Sequence, residues 1–252
     1  MSTPHEQFRQ RLIDRELTVG TFVKTPSSIV CEALCHSSLD VLCLDSEHAP
    51  FGHLQIDQCV AAIRAAGQPS LVRVADQSET AIRNALDCGA TGIVVPHVRN
   101  ADEAERVARA AHFGAGGRGY AGSTRAAGLG TKRMPDHRAD SAKQTTVIVQ
   151  IEDPEALPHV AEISAVENVD AVFIGRIDLA VALDVAPSSR ALLSIVEEIC
   201  ANARGCVGMF TPSLDELPRW RDAGASLFLL GSDHSFMIGG ANDLADRVRA
   251  VF

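Results

Sequence analysis

Lysine is scarce in this sequence of 252 residues, which contains only Lys24, Lys132 and Lys143. We expect none of the three at the end of a central strand, so a Schiff-base mechanism is not predicted. The sequence also lacks any run of about 20 apolar residues, and its polar start has no apolar segment of signal-peptide length. These absences predict a cytoplasmic protein without a membrane span.

Positively charged residues are also fewer than negatively charged ones. The chain has 23 Lys and Arg residues against 32 Asp and Glu residues, which gives a formal net charge of -9. Phosphate backbones and anionic lipid surfaces bind clustered Lys and Arg side chains. Nucleic acid and membrane surfaces are therefore not expected as partners.

Paired cysteines are absent too. The seven cysteines are odd in number, stand in apolar contexts and form no C-x-x-C pair. This pattern is typical of reduced thiols in a protein core, and the alternative is a nucleophilic or metal-binding thiolate.

Eight short runs rich in β-branched residues alternate with longer amphipathic segments, several of which begin at Asp or Ser and end at Gly. The predicted strands cover residues 18–24, 40–47, 70–75, 92–98, 145–153, 170–178, 205–211 and 226–232. This alternation predicts a single α/β domain over residues 1–252, a (β/α)8 TIM barrel of parallel strands. An extra terminal helix is expected near residues 242–252.

The carboxyl ends of the strands are the expected place for a site, because TIM barrels carry their catalytic groups there. Polar side chains fall at this rim in four of the predicted strands. They are Asp45, Glu47, His48, Arg73, Gln150, Glu152 and Asp178.

Glu152 and Asp178 stand at the predicted ends of two adjacent strands. Side chains alternate along a strand, so Gln150 and Glu152 share the face opposite Val147 and Val149, which points them into the barrel. Two such carboxylates suit Mg²⁺ or Mn²⁺, with Co²⁺ and Zn²⁺ as further options. The alternatives are a solvated rim charge for Glu152 and a helix cap for Asp178.

Arg73 and His48 also indicate a site. Arg73 stands between two valines, where a permanent positive charge requires an anionic partner. His48 lies beside Asp45 and Glu47, which is typical of an oriented base. The alternatives are a structural ion pair for Arg73 and an exposed loop residue for His48.

The segment at residues 114–119, GAGGRG, fits the G-x-G-x-x-G pattern of dinucleotide-binding proteins. That pattern requires a strand before it and a helix after it, whereas a helical pattern precedes it here. We instead predict a loop that places Arg118 near the mouth of the site.

Together these motifs give the sequence a family likeness: it resembles the HpcH/HpaI aldolases from about residue 18 to its end. The motifs that carry the resemblance lie at residues 45–50 (DSEHAP), 72–73 (VR), 95–104 (VPHVRNADEA), 118–119 (RG), 150–152 (QIE) and 173–179 (FIGRIDL).

Members of that family are metal-dependent class II aldolases that use pyruvate as the donor. The resemblance implies that Glu152 and Asp178 bind the divalent ion and that Gln150 helps to bind substrate. It further implies that the backbone amides of Ile177 and Asp178 receive the carboxylate of pyruvate.

The resemblance also assigns the proton-transfer groups. His48 matches the base, Asp87 the carboxylate that raises its basicity, and Arg73 the residue that stabilises the transition state. It implies reversible cleavage of a 4-hydroxy-2-oxo acid to pyruvate and an aldehyde, in a homo-oligomer that is often a hexamer.

Three functional alternatives remain at this point. The first two are 2-oxo diacid decarboxylases and citrate-lyase-type CoA-ester lyases, whose reactions also pass through an enolate. The third is a non-catalytic pyruvate-binding barrel. Arg176 stands where the family usually has proline, which leaves the charge preference of the pocket open. The aldehyde is not identified by the sequence.

Overall fold

The eight predicted strands form one closed barrel in the computed structural model, which describes residues 3–252. All eight neighbouring pairs are parallel, and β1 closes the barrel against β8. The strands are β1 Thr18–Val23, β2 Val41–Asp45, β3 Ser70–Arg73, β4 Gly92–Val95, β5 Thr146–Ile151, β6 Ala171–Ile174, β7 Cys206–Thr211 and β8 Leu227–Ser232. The predicted (β/α)8 TIM barrel is confirmed.

Eleven α-helices are found among residues 3–252, together with 3₁₀ turns at Gly128–Gly130, Pro154–His159 and Leu214–Glu216. The helices are α1 Pro4–Ile13, α2 Ser28–Cys35, α3 His53–Ala65, α4 Glu79–Asp87, α5 Ala101–Ala111, α6 Met134–Gln144, α7 Val160–Ile163, α8 Arg176–Ala182, α9 Arg190–Asn202, α10 Leu217–Asp222 and α11 Asp233–Arg249. None of them is both long and apolar enough to cross a membrane. The cytoplasmic location stays a prediction.

Serine and asparagine side chains start several of these helices. Ser78 and Ser189 accept a hydrogen bond from the backbone amide three residues later, as does Asn100 at the start of α5. These caps satisfy amides that have no partner within the helix. The predicted Ser start signals at Ser78 and Ser189 therefore correspond to real helix ends.

Alternation along the strands builds two apolar regions. Val147, Val149 and Ile151 of β5 face the helices, as predicted, whereas Ile148 lies inside the barrel. The barrel interior is closed at the amino ends of the strands by α1, whose Phe8 belongs to the interior cluster. This plug was not predicted, because the first residues of the chain are mostly polar.

The seven cysteines are free, and six of them are buried. Burial raises the pKa of Cys206 to about 11, so this thiol is not ionised at neutral pH. These findings agree with the expectation of reduced core thiols.

His112, at the end of α5, is held neutral inside the structure. Burial, and then the positive charges of Arg9 and Arg118, lower its pKa to about 4. Between pH 6.5 and 4 the unfolded chain binds a proton at His112 that the folded chain does not bind. The free energy of unfolding therefore decreases as the pH falls through this window.

We therefore expect the free energy of unfolding to fall less between pH 7 and pH 5 in His112→Gln than in the wild type. Urea unfolding at both pH values measures this, and His36→Gln, at an exposed position, controls for the removal of a histidine. Equal losses in His112→Gln and wild type would contradict the prediction.

Candidate active site

A cavity of about 400 Å³ opens at the carboxyl ends of the strands. Five of the predicted site residues line it: His48, Arg73, Gln150, Ile177 and Asp178. Apolar rings of Phe22, Phe173 and Phe210 form part of its wall. Such a cavity, mostly apolar with a few convergent polar groups, is typical of a small-molecule site.

Arg73 and Asp45 form the buried ion pair at the base of the rim. Arg73 Nε donates to Asp45 Oδ1 at 3.0 Å and its Nη2 donates to Oδ2 at 2.8 Å. Burial alone would raise the pKa of Asp45, but Arg73 outweighs it and holds this pKa below its ordinary value. The expected anionic partner of Arg73 is therefore present.

Arg73 also connects to a second carboxylate and to an aromatic ring. Its Nη1 lies 3.2 Å from Glu47 Oε2, and its guanidinium carbon lies 4.6 Å from the centre of the Phe22 ring. Burial would lower the pKa of Arg73, but the hydrogen bonds and charge of Asp45 raise it. The guanidinium is thus a fixed positive charge at the cavity wall.

The sequence-based expectation for the lysines is wrong for Lys24. This residue directly follows β1, lines the cavity, and places Nζ 3.2 Å from Asp45 Oδ2. Lys24 is the last residue of the predicted strand 18–24, and in the structure it lies just beyond β1, at the rim with the other polar groups.

His48 lies in the loop after β2, and its position is set by Asp45. Its backbone amide donates to Asp45 Oδ1 at 3.1 Å, while Nε2 of the ring lies 3.8 Å from Glu47 Oε2. The ring is 55% exposed. The imidazole therefore remains free to meet a ligand in the cavity.

Asp87 is not brought to His48 in this chain. It is the last residue of α4, which returns to the amino ends of the strands, and its carboxylate accepts a hydrogen bond from Arg118. The two residues lie at opposite ends of the barrel, so the predicted pairing does not form within one chain.

The same geometry corrects the prediction for Arg118. Its side chain is buried, and it lies with Asp87 and Thr91 at the amino ends of the strands instead of near the mouth of the site. The rejection of a dinucleotide motif holds, because helix α5 and not a strand precedes residues 114–119.

Glu152 follows β5 directly and is nearly fully buried. Its Oε2 accepts a hydrogen bond from Gln150 Nε2, and its Oε1 accepts one from the backbone amide of His97 at 2.8 Å. Gly175 packs against it, since a Cβ there would lie 2.6 Å from Oε2. Glycine is thus required for this close approach.

Asp178 belongs to a helix and not to the end of a strand, which corrects its predicted position. β6 ends at Ile174, and Asp178 lies in the first turn of α8, exposed at the cavity. Asp153 precedes the 3₁₀ turn Pro154–His159 but forms no side-chain cap bond, and its carboxylate contacts His97 and Arg99.

The pKa of Glu152 is raised to about 7. Burial is the largest cause, and the negative charges of Glu47 and Asp178 add to it, while the hydrogen bond from His97 opposes it. Perturbed carboxylates in a cleft are candidates for functional groups.

His97 was not found from the sequence, although it is part of this cluster. Ligand-type atoms of Glu47, His97 and Glu152 all lie within 4.8 Å of one another. Among residues 3–252, these three side chains form the group that could hold a metal ion. The sequence placed His97 inside the predicted strand 92–98, whereas β4 ends at Val95 and His97 lies in the loop that follows.

These residues fit a divalent cation. Glu47 Oε2 and Gln150 Oε1 are buried and have no hydrogen-bond partner. A bound ion or its ligands would satisfy such oxygens, and carboxylate-rich sites are those that divalent ions prefer.

Arg176, which stands where the family pattern usually has proline, lies at the cavity with its charge close to a carboxylate. It lines the cavity, its Nη1 donates to Glu216 Oε2 at 2.8 Å, and its guanidinium carbon lies 5.7 Å from the centre of the Trp220 ring. The charge of Arg176 is thus partly neutralised, and the side chain connects α8 to the segment after β7.

Comparison with known proteins agrees with this arrangement. A profile of the HpcH/HpaI aldolase/citrate lyase family matches residues 18–239. The hydroxypyruvate/pyruvate aldolase of Paraburkholderia phytofirmans is 31% identical over 99% of this chain and 100% of its own length. The 5-keto-4-deoxy-D-glucarate aldolase of Salmonella arizonae is 30% identical over 95% of each chain.

Among solved structures, an HpcH/HpaI aldolase/citrate lyase family protein from Burkholderia cenocepacia superimposes with a TM-score of 0.90. It is 29% identical and covers 97% of this chain and 99% of its own. The barrel and its polar rim are thus those of a carbon–carbon lyase. The chain belongs to the HpcH/HpaI aldolase/citrate lyase family.

Proposed function

We propose that this protein is a metal-dependent class II aldolase that reversibly cleaves a 4-hydroxy-2-oxo acid to pyruvate and an aldehyde. The observation that carries the proposal is the position of Glu152. This buried carboxylate lies beside Glu47 and His97 and contacts Gln150, which lines the same cavity as Arg73 and His48. Aldolases among the relatives support the same reaction class.

Glu152 and Asp178 are the proposed metal ligands. The charge of Asp178 contributes to the raised pKa of Glu152, so the two carboxylates interact, and a cation would relieve their repulsion. Mg²⁺ or Mn²⁺ is the proposed ion, with Co²⁺ and Zn²⁺ as alternatives. When bound, the ion supplies a Lewis acid that stabilises negative charge on the keto oxygen of the substrate.

Substrate contacts follow from the same cavity. Ile177 and Asp178 are the second and third residues of α8, and amides in the first turn of a helix have no partner within it. They would receive the carboxylate of pyruvate. Gln150, whose Oε1 has no hydrogen-bond partner, lies beside them at the cavity wall.

Arg73 and His48 would perform the bond cleavage. Removal of the proton from the 4-hydroxyl group by His48, directly or through water, breaks the bond between C3 and C4 and releases the aldehyde. The enolate that remains takes up a proton at C3 from solvent and leaves as pyruvate. Arg73 donates hydrogen bonds to the oxygen on which the enolate charge of pyruvate develops. The reverse proton transfers lead to the addition product.

Turnover should depend on the metal and not on a lysine. Purified protein with Mn²⁺ and a 4-hydroxy-2-oxo acid is expected to release pyruvate, and excess chelator should abolish the release until Mn²⁺ is restored. Borohydride added with pyruvate should leave the protein mass unchanged, because no imine forms at Lys24.

Two outcomes would contradict this proposal. A reduced pyruvate adduct on Lys24, with turnover unaffected by chelator, would indicate lysine chemistry. Faster release of carbon dioxide from oxaloacetate than of aldehyde from any 4-hydroxy-2-oxo acid would indicate a decarboxylase. Lactate dehydrogenase coupling and mass spectrometry measure both.

We also propose that the protein is a homo-oligomer, with a hexamer as the form that the family resemblance implies. Helix α11 leaves apolar side chains exposed along its length, among them Met237, Ile238, Leu244 and Val248. Exposed apolar patches on a helix are typical of protein contacts.

A further inference from the structure

Glu152 presents its two oxygens to two different sides of the site. Oε2 faces Gly175, the residue at the start of the helix that carries Asp178, and it accepts the hydrogen bond of Gln150. Oε1 faces His97 instead. A cation held by Asp178 and one held near His97 would therefore meet different oxygens of the same carboxylate.

His97 has the geometry of a ligand on the Oε1 side. One ring nitrogen lies 3.3 Å from Glu152 Oε1 and the other lies 3.7 Å from Glu47 Oε1. Adjacent ligands around a divalent ion with bonds of about 2.1 Å are about 3.0 to 3.4 Å apart, depending on octahedral or tetrahedral geometry. The pair of His97 and Glu152 atoms already has this spacing.

A second observation points to a ligand at this place. Glu47 Oε2 is a buried oxygen without a hydrogen-bond partner, although Arg73 lies near it. Buried polar atoms of this kind require a partner, and a cation with its water ligands would supply one.

The backbone of His97 is consistent with a functional position. Its φ of 58° lies in the left-handed region, which costs free energy in a residue other than glycine. The ring is 49% exposed, so an ion from solution can reach it.

We propose that Glu47, His97 and Glu152 form a second cation site, on the side of Glu152 opposite Asp178, with an imidazole nitrogen as one ligand. This inference deepens the proposed function by adding a site that shares Glu152 with it. A nitrogen ligand favours Co²⁺, Ni²⁺ or Zn²⁺ over Mg²⁺, because imidazole suits these softer ions whereas Mg²⁺ is a hard cation that prefers oxygen ligands.

The test is direct titration with metal alone. CoCl₂ and MgCl₂ are titrated into chelator-treated wild-type protein by calorimetry, and the visible absorption of bound Co²⁺ reports on a nitrogen ligand. His97→Asn is the informative variant, since asparagine also adopts the left-handed backbone conformation but offers no ring nitrogen. Exposed His36 provides the matched control, His36→Asn.

We expect His97→Asn to lose about tenfold or more in Co²⁺ affinity and to change the Co²⁺ spectrum, with Mg²⁺ affinity changed by less than about threefold. Asp178→Asn should retain the His97-dependent Co²⁺ binding. His36→Asn should match the wild type in every titration.

Equal Co²⁺ affinity and an unchanged spectrum in His97→Asn would overturn the second site and leave His97 as a counter-charge for the carboxylates. The proposed function fails by other results: no pyruvate release, or turnover that survives chelation. Each proposal can thus fail while the other stands.

Discussion

Arg73→Lys is expected to lower kcat/KM for pyruvate release by about 10²- to 10³-fold, the usual cost of losing one preorganised donor to a developing oxyanion. Lysine keeps the charge but cannot reproduce the two parallel hydrogen bonds to Asp45 or reach Glu47 with the same planar fork. Steady-state kinetics with a 4-hydroxy-2-oxo acid measure the effect.

Arg133→Lys is the matched control. Arg133 also forms two hydrogen bonds to one carboxylate, that of Asp136, but it is 82% exposed and lies outside the site. We expect no change in its kinetics. A similar loss in both variants would mean that Arg73 acts only through general stability.

Arg73 also contributes to stability, and Arg73→Ala separates the two roles. The variant leaves Asp45, which is fully buried, with Lys24 as its remaining cationic partner. Breaking a buried pair typically costs about 3 to 5 kcal/mol, and we expect the lower end because Lys24 remains. Arg73→Lys should lose much less stability than this, although its turnover falls steeply.

The architecture could be predicted because strand periodicity is a local property of the sequence. Val147 and Val149 face the helices and Gln150 faces the cavity, as alternation by two requires. Arg73 was placed at the rim from its position in the third predicted strand, and it is the last residue of β3. The direction of a side chain inside a strand follows from those of its neighbours along the chain, so it can be predicted without tertiary information.

Element ends and loops could not be predicted in the same way. The predicted strand was continued from the apolar run AVFI through residues 175–177, so Asp178 was assigned to its end although it lies in the first turn of α8. Lys24 and His97 fell inside the predicted strands 18–24 and 92–98, but β1 ends at Val23 and β4 ends at Val95, so both residues follow their strands. Their positions depend on contacts with Asp45 and Glu152, which are distant in sequence.

Glu152→Gln is expected to abolish turnover, with a loss of at least about 10³-fold, and to remove Mn²⁺ binding. The amide has nearly the same shape and can still bond to Gln150, but it lacks the charge that both proposed cation sites share. Glu155→Gln, the same substitution at an exposed position three residues later, is the control and should behave as the wild type.

The same variant should gain stability when metal is absent. The pKa of Glu152 is about 7 in the folded protein against an ordinary 4.5, chiefly because of burial. Between pH 4.5 and 7 the unfolded chain releases this proton while the folded chain retains it, so the wild type loses stability relative to Glu152→Gln as the pH rises through that window.

Urea unfolding in chelator should therefore show Glu152→Gln to be more stable than the wild type at pH 8, by about 1 to 3 kcal/mol, and the difference should shrink towards pH 4.5. Adding Mn²⁺ should stabilise the wild type and leave the variant unchanged. A variant that is inactive only because it unfolds would be less stable at pH 8, and this result would remove Glu152 from the proposed chemistry. A rise in stability together with the loss of Mn²⁺ binding would instead show that the fold tolerates a buried, repelled carboxylate because an ion binds there.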